Sequence, residues 1–445
     1  MSVVSAPAFP APRERPSTAA QLLALAAVTS VEFLENGLVL FGAGPIMAGA
    51  AVSASAFALV YAAYGAAAVF MLYKHQWLVE RLGYRRFVAL SLLVFGLGSA
   101  VCATSPADGS VLQLALGRLL QGLGGWRALF WFGLVWAVWV AWAARGCLPA
   151  QRSAPHERSQ EHWGWLLVVL AGVCGLQWVI QQIPVQQAGA LSGRWLAVAG
   201  VSTGVLSLFA WRQWGRERPL INYRGLVQQR YLVGMVFYAL GYFLAGAMGL
   251  LLPWMLHQEL GFSLLATALW TSLGLCSSVG MALAHIFVAR RWPRHQGFML
   301  SGVLLQALAC LLLSQVQHAG QGVQGPAWSV LALGLGTVLS GLSLPLFIGP
   351  VAQGTFLELP PAVFSHGYQV KNIVRQLSLS FSVALLTGLL HQLGEGHLAG
   401  LGGALQGLGA WLGTPVAQPV ACVFLLLAFL SLPLALAVLL QRVFR

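Results

Sequence analysis

Charged residues are scarce in this chain. Asp, Glu, Lys and Arg make up only 8% of its 445 residues, whereas about a quarter of a soluble domain is charged. Hydrophobic residues account for 58%, and the mean hydropathy is +0.77. So little charge cannot cover a soluble globular surface, and the composition therefore indicates a membrane protein.

Motifs for metal, disulfide, nucleotide and catalytic chemistry are also missing. The six cysteines contain no CxxC pair and the ten histidines no HExxH, so we predict neither disulfides nor a metal site. The Gly-rich stretch 396–413 follows no predicted strand and is expected to be a mobile outer loop, not a nucleotide site. We find no nucleophile–base pair and no cofactor motif. The expectation is no catalytic residue, no cofactor and no enzyme.

Long apolar runs fill most of the chain. A helix needs about 20 apolar residues to cross a membrane, and continuous runs that do not alternate must be helices because their backbone groups bond internally. The fold class is therefore an all-α polytopic membrane protein with twelve predicted spans: 20–48, 54–73, 87–106, 112–144, 163–182, 193–211, 231–256, 262–289, 296–316, 327–354, 372–391 and 417–440.

The basic residues lie almost entirely in alternate loops. Of the 24 Lys and Arg, 21 fall in these loops, Arg194 lies in a loop of the other side, and Arg118 and Arg127 lie within a span. The positive-inside rule places the basic side and both termini in the cytoplasm. The net charge of +13 therefore reflects topology, because basic residues spread over many loops form no nucleic-acid patch.

Two carboxylates fall within the first span. A charge at membrane depth costs about 2.5–3.5 kcal/mol and normally marks an ion or substrate path. Glu32, Glu35 and Asn36 share one helix face, and a buried carboxylate suits reversible protonation. Arg118, followed by Gln121 in the fourth span, is the expected counter-charge. The alternatives are a glutamate that lines a wet vestibule and a purely structural ion pair.

The loop after the second span has an ordered set of charges. Gly83 is expected to form a tight turn, while Glu80 can accept hydrogen bonds from basic residues or from a helix N-terminus. Arg81, Arg85 and Arg86 complete the order acid-Arg-x-Gly-x-Arg-Arg. The alternative is a plain basic loop that serves orientation alone.

These residues resemble the signatures of the major facilitator superfamily. Residues 80–86 are similar to its cytoplasmic loop signature between the second and third helices, with Glu80 in place of the usual Asp and Gln76 in place of the opening Gly. Residues 118–122 resemble the fourth-helix signature that the family links to proton coupling. The resemblance implies a gating role for the loop and a proton-coupling role for Arg118 and Gln121, while the depth of Glu32, Glu35 and Asn36 in the first span predicts a proton-coupling or substrate role for them.

Two further segments resemble the 14-helix drug:proton antiporter branch. Residues 218–221 look like the opening of the amphipathic segment before the second half. Residues 372–377 resemble the signature of the penultimate helix, which points to Lys371, Asn372, Arg375 and Gln376. The fold hosts many substrates, so the resemblance alone does not name one.

One departure from that branch is large. Gly125 runs directly into Trp126, where the branch has the rest of the fourth helix, a loop and the whole fifth helix. Two crossings within 112–147 would place the basic loops after residue 147 outside, so we expect 112–144 to be a single helix that is broken near Gly122–Gly125. The chain thus resembles a 14-helix transporter with an internal deletion.

The predicted organisation has four parts. They are a disordered cytoplasmic tail (1–19), an incomplete N-terminal bundle (20–147), two connecting spans with an amphipathic basic segment (148–230) and a six-helix C-terminal bundle (231–445). In the basic segment Leu220, Ile221, Leu226 and Val227 are expected to enter the lipid headgroups.

The predicted function is proton-coupled export of lipophilic or cationic small molecules from a bacterial inner membrane. The partners are the substrate, protons and membrane lipids, with no nucleic acid, and the protein is expected to be monomeric. Two alternatives remain open: an internally deleted homologue without transport activity, and a proton-coupled importer of a small metabolite.

Overall fold

The protein is helical throughout the part that its computed structural model describes. This part comprises residues 24, 27, 28, 31 and 39 and the ranges 43–49, 54–103, 127–144, 163–182, 193–292, 294–316, 327–411 and 418–444. Within it lie α1 (Ala43–Gly49), α2 (Ala54–Leu82), α3 (Tyr84–Ala103), α4 (Arg127–Ala144), α5 (Trp163–Gln182), α6 (Gly193–Trp214), α7 (Tyr223–Leu226), α8 (Gln229–Trp254), α9 (Leu264–Arg291), α10 (His295–Ser314), α11 (Ala327–Thr355), α12 (Pro361–Gly394), α13 (Ala399–Trp411) and α14 (Pro419–Leu440). A π-helical turn, Met255–Glu259, follows α8, and these ranges contain no strand.

Nine of the described helices are long and apolar enough to cross a membrane: α3, α5, α6, α8 to α12 and α14. They coincide with nine predicted spans, which confirms the all-α class. Two helices extend beyond their predicted spans. Helix α2 continues to Leu82, past the end of the second predicted span, and α12 begins at Pro361, before the start of the eleventh. Most of the first predicted span and residues 112–126 of the fourth lie outside the described residues, so the predicted total of twelve remains a prediction.

Gly83 forms the turn between α2 and α3. Its φ of +78° is a left-handed conformation that glycine adopts without a steric penalty. Its N–H donates to the carbonyl of Val79 at 2.8 Å, and Phe87 donates back to the carbonyl of Gly83 at 3.1 Å. The tight turn predicted at Gly83 is therefore confirmed.

Helices α8 to α14 pack as one group. The central contacts join α11 to α9 and α10, α14 to α10, and α12 to α8. Gly302 of α10 allows a close approach to α11, since a Cβ there would lie 2.8 Å from the backbone nitrogen of Phe347 and 2.8 Å from the carbonyl oxygen of Ser343. The core of the group includes Leu250, Cys310 and Leu333, each almost completely buried.

Helices α5 and α6 form a hairpin that lies against both halves of the molecule. Gly172 of α5 faces Val205 of α6, at 3.0 Å from a Cβ built on the glycine, and Gly175 faces Ser202. Gly200 has no neighbour within 4 Å of a built Cβ. Helix α5 contacts α2 on one side and α12 on the other, so the connecting hairpin takes part in the junction between the two halves.

Three apolar residues of the connector between α6 and α8 are covered by protein. Leu220 is 1%, Ile221 0% and Leu226 4% exposed, while Val227 is 56% exposed. The prediction that all four enter the headgroups is wrong for the first three. Protein atoms cover them because the segment folds back onto α6 and α12.

Polar contacts hold this connector in place. The N–H of Leu220 donates to Oε1 of Gln213 at 2.8 Å, and Nδ1 of His366 lies 3.2 Å from the Leu220 carbonyl. The N–H of Gly225 donates to Oδ1 of Asn222 at 3.0 Å and caps α7. Burial raises the pKa of Tyr223 well above its usual range. The connector is thus an ordered part of the fold.

The Gly-rich stretch also differs from its prediction. Residues 399–411 form α13 where a mobile loop was expected. Leu405 of α13 packs with Ala421, Cys422 and Leu425 of α14. This apolar contact stabilises a helix whose many glycines give it little intrinsic preference.

Candidate functional site

Few ionisable side chains are buried in the described part of the chain. Of the acidic residues, Lys, Arg and His in the described part, the buried ones are Lys74, Glu80, His285, Lys371 and Arg375, each less than 9% exposed. Lys74 and Glu80 belong to α2, and Lys371 and Arg375 to α12. Because such groups are costly at membrane depth and tend to line functional paths, the junction of α2 and α12 is the candidate site.

The α2 side ends in the charged loop that the sequence analysis identified. Nε2 of Gln76 donates to Oε1 of Glu80 at 3.1 Å, and an Nη of Arg81 lies 3.8 Å from Oε2 of the same carboxylate. The Arg81 guanidinium also lies 4.0 Å from the ring centroid of Trp77. Glu80 is therefore held on the helix, with Arg81 as a close basic partner.

Three residues of this loop do not join the buried group. Arg85 and Arg86 are exposed, and Gly83 occupies the turn. Exposed arginines satisfy the orientation requirement of a cytoplasmic loop. Their part in gating stays a prediction.

One side chain ties α12 directly to the backbone of α2. Nε2 of Gln369 donates to the carbonyl of Leu72 at 2.5 Å and to that of Tyr73 at 3.3 Å. Gln369 is 6% exposed. This amide therefore bridges the two halves at the end of α2 that leads into the charged loop.

Further along α12, the same face meets α5. Oγ of Ser380 donates to Oε1 of Gln177 at 2.7 Å, and Nε2 of Gln181 donates to Ser380 Oγ at 3.4 Å. Gly65 of α2 admits this group, since a Cβ there would lie 3.1 Å from Nε2 of Gln177. We call Gln177, Gln181 and Ser380 the amide cluster. It joins three helices within an apolar core.

Gln376 lies one turn before Ser380, on the same face of α12. It is 1% exposed, and neither of its amide atoms has a hydrogen-bond partner in the described structure. A buried amide without partners costs about 1–3 kcal/mol. Such a residue is an unusual choice for a helix that only packs.

A second polar face of α12 looks toward α8. Nζ of Lys371 lies 4.0 Å from the ring centroid of Tyr368 and 5.8 Å from that of Tyr238. The ring of Tyr238 stacks on Tyr242 with centroids 5.7 Å apart and an interplanar angle of 10°. Arg375 follows Lys371 by four residues and therefore lies above it on this face. We call these five residues the cation–tyrosine face.

Part of this site was predicted from the sequence. Lys371, Arg375 and Gln376 are buried on α12, and Asn372 is partly buried beside them. Glu32, Glu35, Asn36, Arg118 and Gln121 lie outside the described residues, so the predicted pairing with Arg118 remains a prediction. Among the described residues no group of three or more potential metal ligands is found.

The amide cluster, Gln369 and the tyrosines of α8 were missed. Gln177 and Gln181 carried a usable signal, because two amides spaced by four residues interrupt an otherwise apolar span. Gln369 lies outside the predicted eleventh span, which began at residue 372. Its contact with α2 depends on a separation of almost 300 residues along the chain and has no local signal.

The chain is similar to several bacterial proteins. A protein named for multidrug resistance, MdtD of Cronobacter sakazakii, is 24% identical over 399 residues, which cover 79% of this chain and 82% of that protein. The MdtD of Klebsiella pneumoniae is 22% identical over 386 residues, covering 77% and 79%. No family model matches the chain.

Solved transporter structures share the fold. The nucleoside transporter NupG matches with a TM-score of 0.53 at 12% identity, over 94% of this chain and 98% of its own. The peptide transporter PepTSo of the POT family matches with a TM-score of 0.55 at 14% identity, over 96% and 98%. The chain therefore has the fold of a membrane transporter of the major facilitator type and is an integral membrane protein.

Proposed function

We propose that this protein exports lipophilic small molecules across the bacterial inner membrane in exchange for protons. The observation that carries the proposal is the character of α12. Its span is 61% buried, the largest share among the described apolar spans, yet it buries Lys371, Arg375 and Gln376. Charges and an unsatisfied amide on a central helix favour a path for a polar or charged species over simple packing.

The relatives favour export. The MdtD proteins are named for multidrug resistance, and the match with them extends over more than three quarters of this chain. That name supports efflux of foreign compounds over import of a metabolite. The fold adds that substrate would bind between the two halves, near the middle of the membrane, and that access would alternate.

The junction of α2 and α12 offers a mechanism for alternation. Gln369 and the amide cluster hold α12 against α2 and α5 with a small number of hydrogen bonds. Rocking of one half against the other would break the Gln369 contact at one end and expose the buried face of α12 to that side. The predicted orientation makes this the cytoplasmic side, from which an exporter takes its substrate.

Proton coupling is assigned to Glu32 or Glu35. Either carboxylate would bind a proton from the outer side and release it to the cytoplasm, with Arg118 competing for the ionised form. We expect protonation of the carboxylate to release the substrate, because a neutral carboxyl no longer holds Arg118 and the arginine side chain can then move. In the same proposed topology, both termini lie in the cytoplasm.

Efflux in a pump-deficient bacterium tests the proposal. A panel of lipophilic dyes and drugs would be loaded, and efflux would be measured at matched membrane expression. We expect export that collapses with a protonophore and with Glu32→Gln or Glu35→Gln. Glu217→Gln, an exposed charge of the connector, is the matched control and should leave export unchanged. The absence of export for every compound, with normal expression, would contradict the proposal.

A transport-inactive homologue is the second candidate. One observation favours it: only 22% of the Tyr84–Val101 span of α3, in the half with the predicted deletion, is buried by the rest of the protein. If the predicted deletion between Gly125 and Trp126 abolished transport, inserting a helix there should restore efflux. Efflux by the unmodified chain would eliminate this candidate.

A further inference from the structure

The turn that follows α8 has an unusual backbone. Pro253 lies inside α8 and has no N–H to donate, and the next residues, Met255–Glu259, form a π-helical turn. The N–H of Leu260 donates to the carbonyl of Met255 at 2.9 Å, which closes the wider ring of a π-helix. Single π-helical turns are frequent at functional sites. This turn ends at a carboxylate, Glu259.

Glu259 caps a helix that is distant in the sequence. Helix α14 begins at Pro419, and its N-cap residue, Gln418, makes no side-chain hydrogen bond there. Instead, the N–H of Val420 donates to Oε1 of Glu259 at 3.3 Å. The N-terminus of a helix carries a partial positive charge and stabilises a carboxylate. One ionisable group therefore ties the first turn of α14 to the end of α8.

The other oxygen of Glu259 is buried. Oε2 has no hydrogen-bond partner in the described part of the chain, and Leu256, Leu260 and Val420 near this turn belong to the apolar core. Apolar burial favours the neutral form of a carboxyl group, whereas the N-terminus of α14 favours the charged form. Glu259 as a whole is only partly buried at the end of a helix, so a proton from water can reach it directly.

The same turn contacts the first half of the molecule. Gln258 lies against Gly44 of α1, and Leu256 shares the apolar core with Ile46. This end of α8 is opposite the basic connector, which the predicted orientation places in the cytoplasm. The turn therefore joins the two halves at the outer side, as Gln369 does at the inner side.

Two other titratable groups lie close to Glu259 among the described residues. His257 belongs to the same turn, and its Nδ1 lies 2.8 Å from the carbonyl oxygen of Phe262. Cys422 lies in the first turn of α14 and is 3% exposed. Neither α1, nor α14, nor the first three turns of α9 contains Asp, Glu, Lys or Arg. In these elements no basic side chain holds Glu259 in its charged form.

We propose that Glu259 is a proton-binding residue of the outer side and that its protonation loosens α14 from the end of α8. A neutral carboxyl accepts a hydrogen bond more weakly than a carboxylate, so the first turn of α14 loses its charged cap. Because the same turn joins α8 to α1, this change favours opening of the outer side. The role in transport rests on the proposed proton-coupled export, in which a proton from outside drives release of the substrate.

Hydrogen exchange of the full-length protein in lipid nanodiscs, read by mass spectrometry, tests this link. The first turn of α14 would be compared in the parent protein and in Glu259→Gln, whose neutral amide stands for the protonated carboxyl. The peptide that begins at Gln418 has the same sequence in both proteins, so the pH dependence of the exchange chemistry cancels. We expect exchange about fivefold faster in the variant at about pH 8, where a charged hydrogen bond is lost, and equal exchange at about pH 5.

Two controls lie at the same end of the helices. The N-terminus of α9 is capped by Oγ of Ser263, which accepts from the N–H of Ala266 at 3.2 Å and does not titrate in this range. Its exchange should be the same in the parent protein and in Glu259→Gln. His257→Gln removes the other titratable group of the turn and should keep the pH response of α14.

The parent protein also gives a test that does not depend on the stability of a variant. As the pH is lowered, protection of the first turn of α14 should fall relative to protection of the first turn of α9. A constant ratio would overturn the proposal. So would equal exchange in the parent and in Glu259→Gln at every pH, or a pH response that disappears in His257→Gln.

The cellular efflux assay separates this inference from the proposed function. Export by Glu259→Gln should depend less on the outer pH than export by the parent protein. Export in a protein whose hydrogen exchange shows no effect of Glu259 would refute the role of this residue and support the transporter. A pH-dependent link at Glu259, in a protein that exports nothing, would support the proton site and refute the transporter.

Discussion

The two halves of the molecule differ in how completely their described helices are packed. In the second half, the spans of α8, α12 and α14 are 50%, 61% and 50% buried and α9 at its edge is 6% buried, whereas α3 of the first half is 22% buried and α6 of the hairpin 11%. A large apolar core joins α8, α10, α11, α12 and α14 to α1 and the start of α2, while α3 and α4 share a small cluster with Val31. The central helices of the second half, α8, α12 and α14, are therefore more closely packed than α3 and α6.

This difference in packing indicates where a functional site can be located. A well-packed bundle fixes side chains within narrow limits, so the buried charges of α12 occupy definite positions against α8. The contacts of α2 and α5 with α12 then connect this fixed bundle to the less buried part of the chain. The hydrogen bonds of Gln369 to α2 and of Ser380 to α5 cross this junction, and contacts of this kind can be made and broken.

The largest test of the comparison is a pair of glycine substitutions. Gly302→Ala should lower the stability of the protein by about 1–3 kcal/mol, because its Cβ would meet backbone atoms of α11 and force the helices apart. Gly200→Ala on α6 has open space around it and should be neutral or slightly stabilising, since alanine favours a helix. Thermal unfolding of purified protein in detergent measures both. Equal losses would show that the packing contrast between the two regions is wrong.

A smaller effect is expected at the junction itself. Gln369→Leu removes the donor to the carbonyls of Leu72 and Tyr73 and should open the end of the junction that leads into the charged loop. With spin labels at the exposed positions 84 and 362, this opening would appear as a population of molecules in which the two labels are farther apart. Ser365→Ala, an exposed neighbour on α12, should leave the distance distribution unchanged.

The Gln369 contact has a clear contrary result. If the label distances of Gln369→Leu match those of the parent protein, the amide does not hold the halves together. A loss of thermal stability without a change of distance would assign it a structural role only. The transport proposal would then need another closing contact.

The amide cluster should contribute less to the stability of the protein than the close packing at Gly302. Hydrogen bonds between membrane helices average about 0.6 kcal/mol in double-mutant cycles, with a maximum near 1.7. The cycle of Gln177→Leu, Ser380→Ala and the double variant should give a coupling energy in this range. Thermal unfolding in lipid nanodiscs provides the measurement, and a coupling energy of zero would mean that α5 is held to α12 by apolar contacts alone.

The sequence was a good guide wherever one segment decides the outcome. Length and hydropathy were enough to place nine spans, because a crossing helix must satisfy its backbone alone. The φ of Gly83 followed from its position between two helices. The buried position of Lys371 and Arg375 agrees with their place in a recognisable motif on the penultimate helix.

Features that depend on a distant partner could not be predicted. Leu220 and Ile221 have the apolar character of residues that enter a membrane surface, but in the folded protein they are buried against α6 and α12. The first turns of α12 contain Ser365, His366 and Gln369, so hydropathy does not extend the span to Pro361. Helix α13 needs its contact with α14, and the amide cluster needs three helices to meet.

The smallest expected effect is at the edge of the second half. Arg230 and Glu358 form an ion pair at 2.6 Å, and the Glu358 side chain is 55% exposed. Pairs of this kind contribute about 0.2–1 kcal/mol because water and salt screen them. Glu358→Gln should therefore shift stability by no more than this amount, and the shift should shrink as salt is raised from low to high concentration. Glu217→Gln, which removes an exposed carboxylate of the connector, serves as the control and should leave stability unchanged. A loss comparable to that of Gly302→Ala would mean that the second half depends on its surface ion pair as much as on its helix packing. Charge, and not packing, would then be the main difference between the two regions.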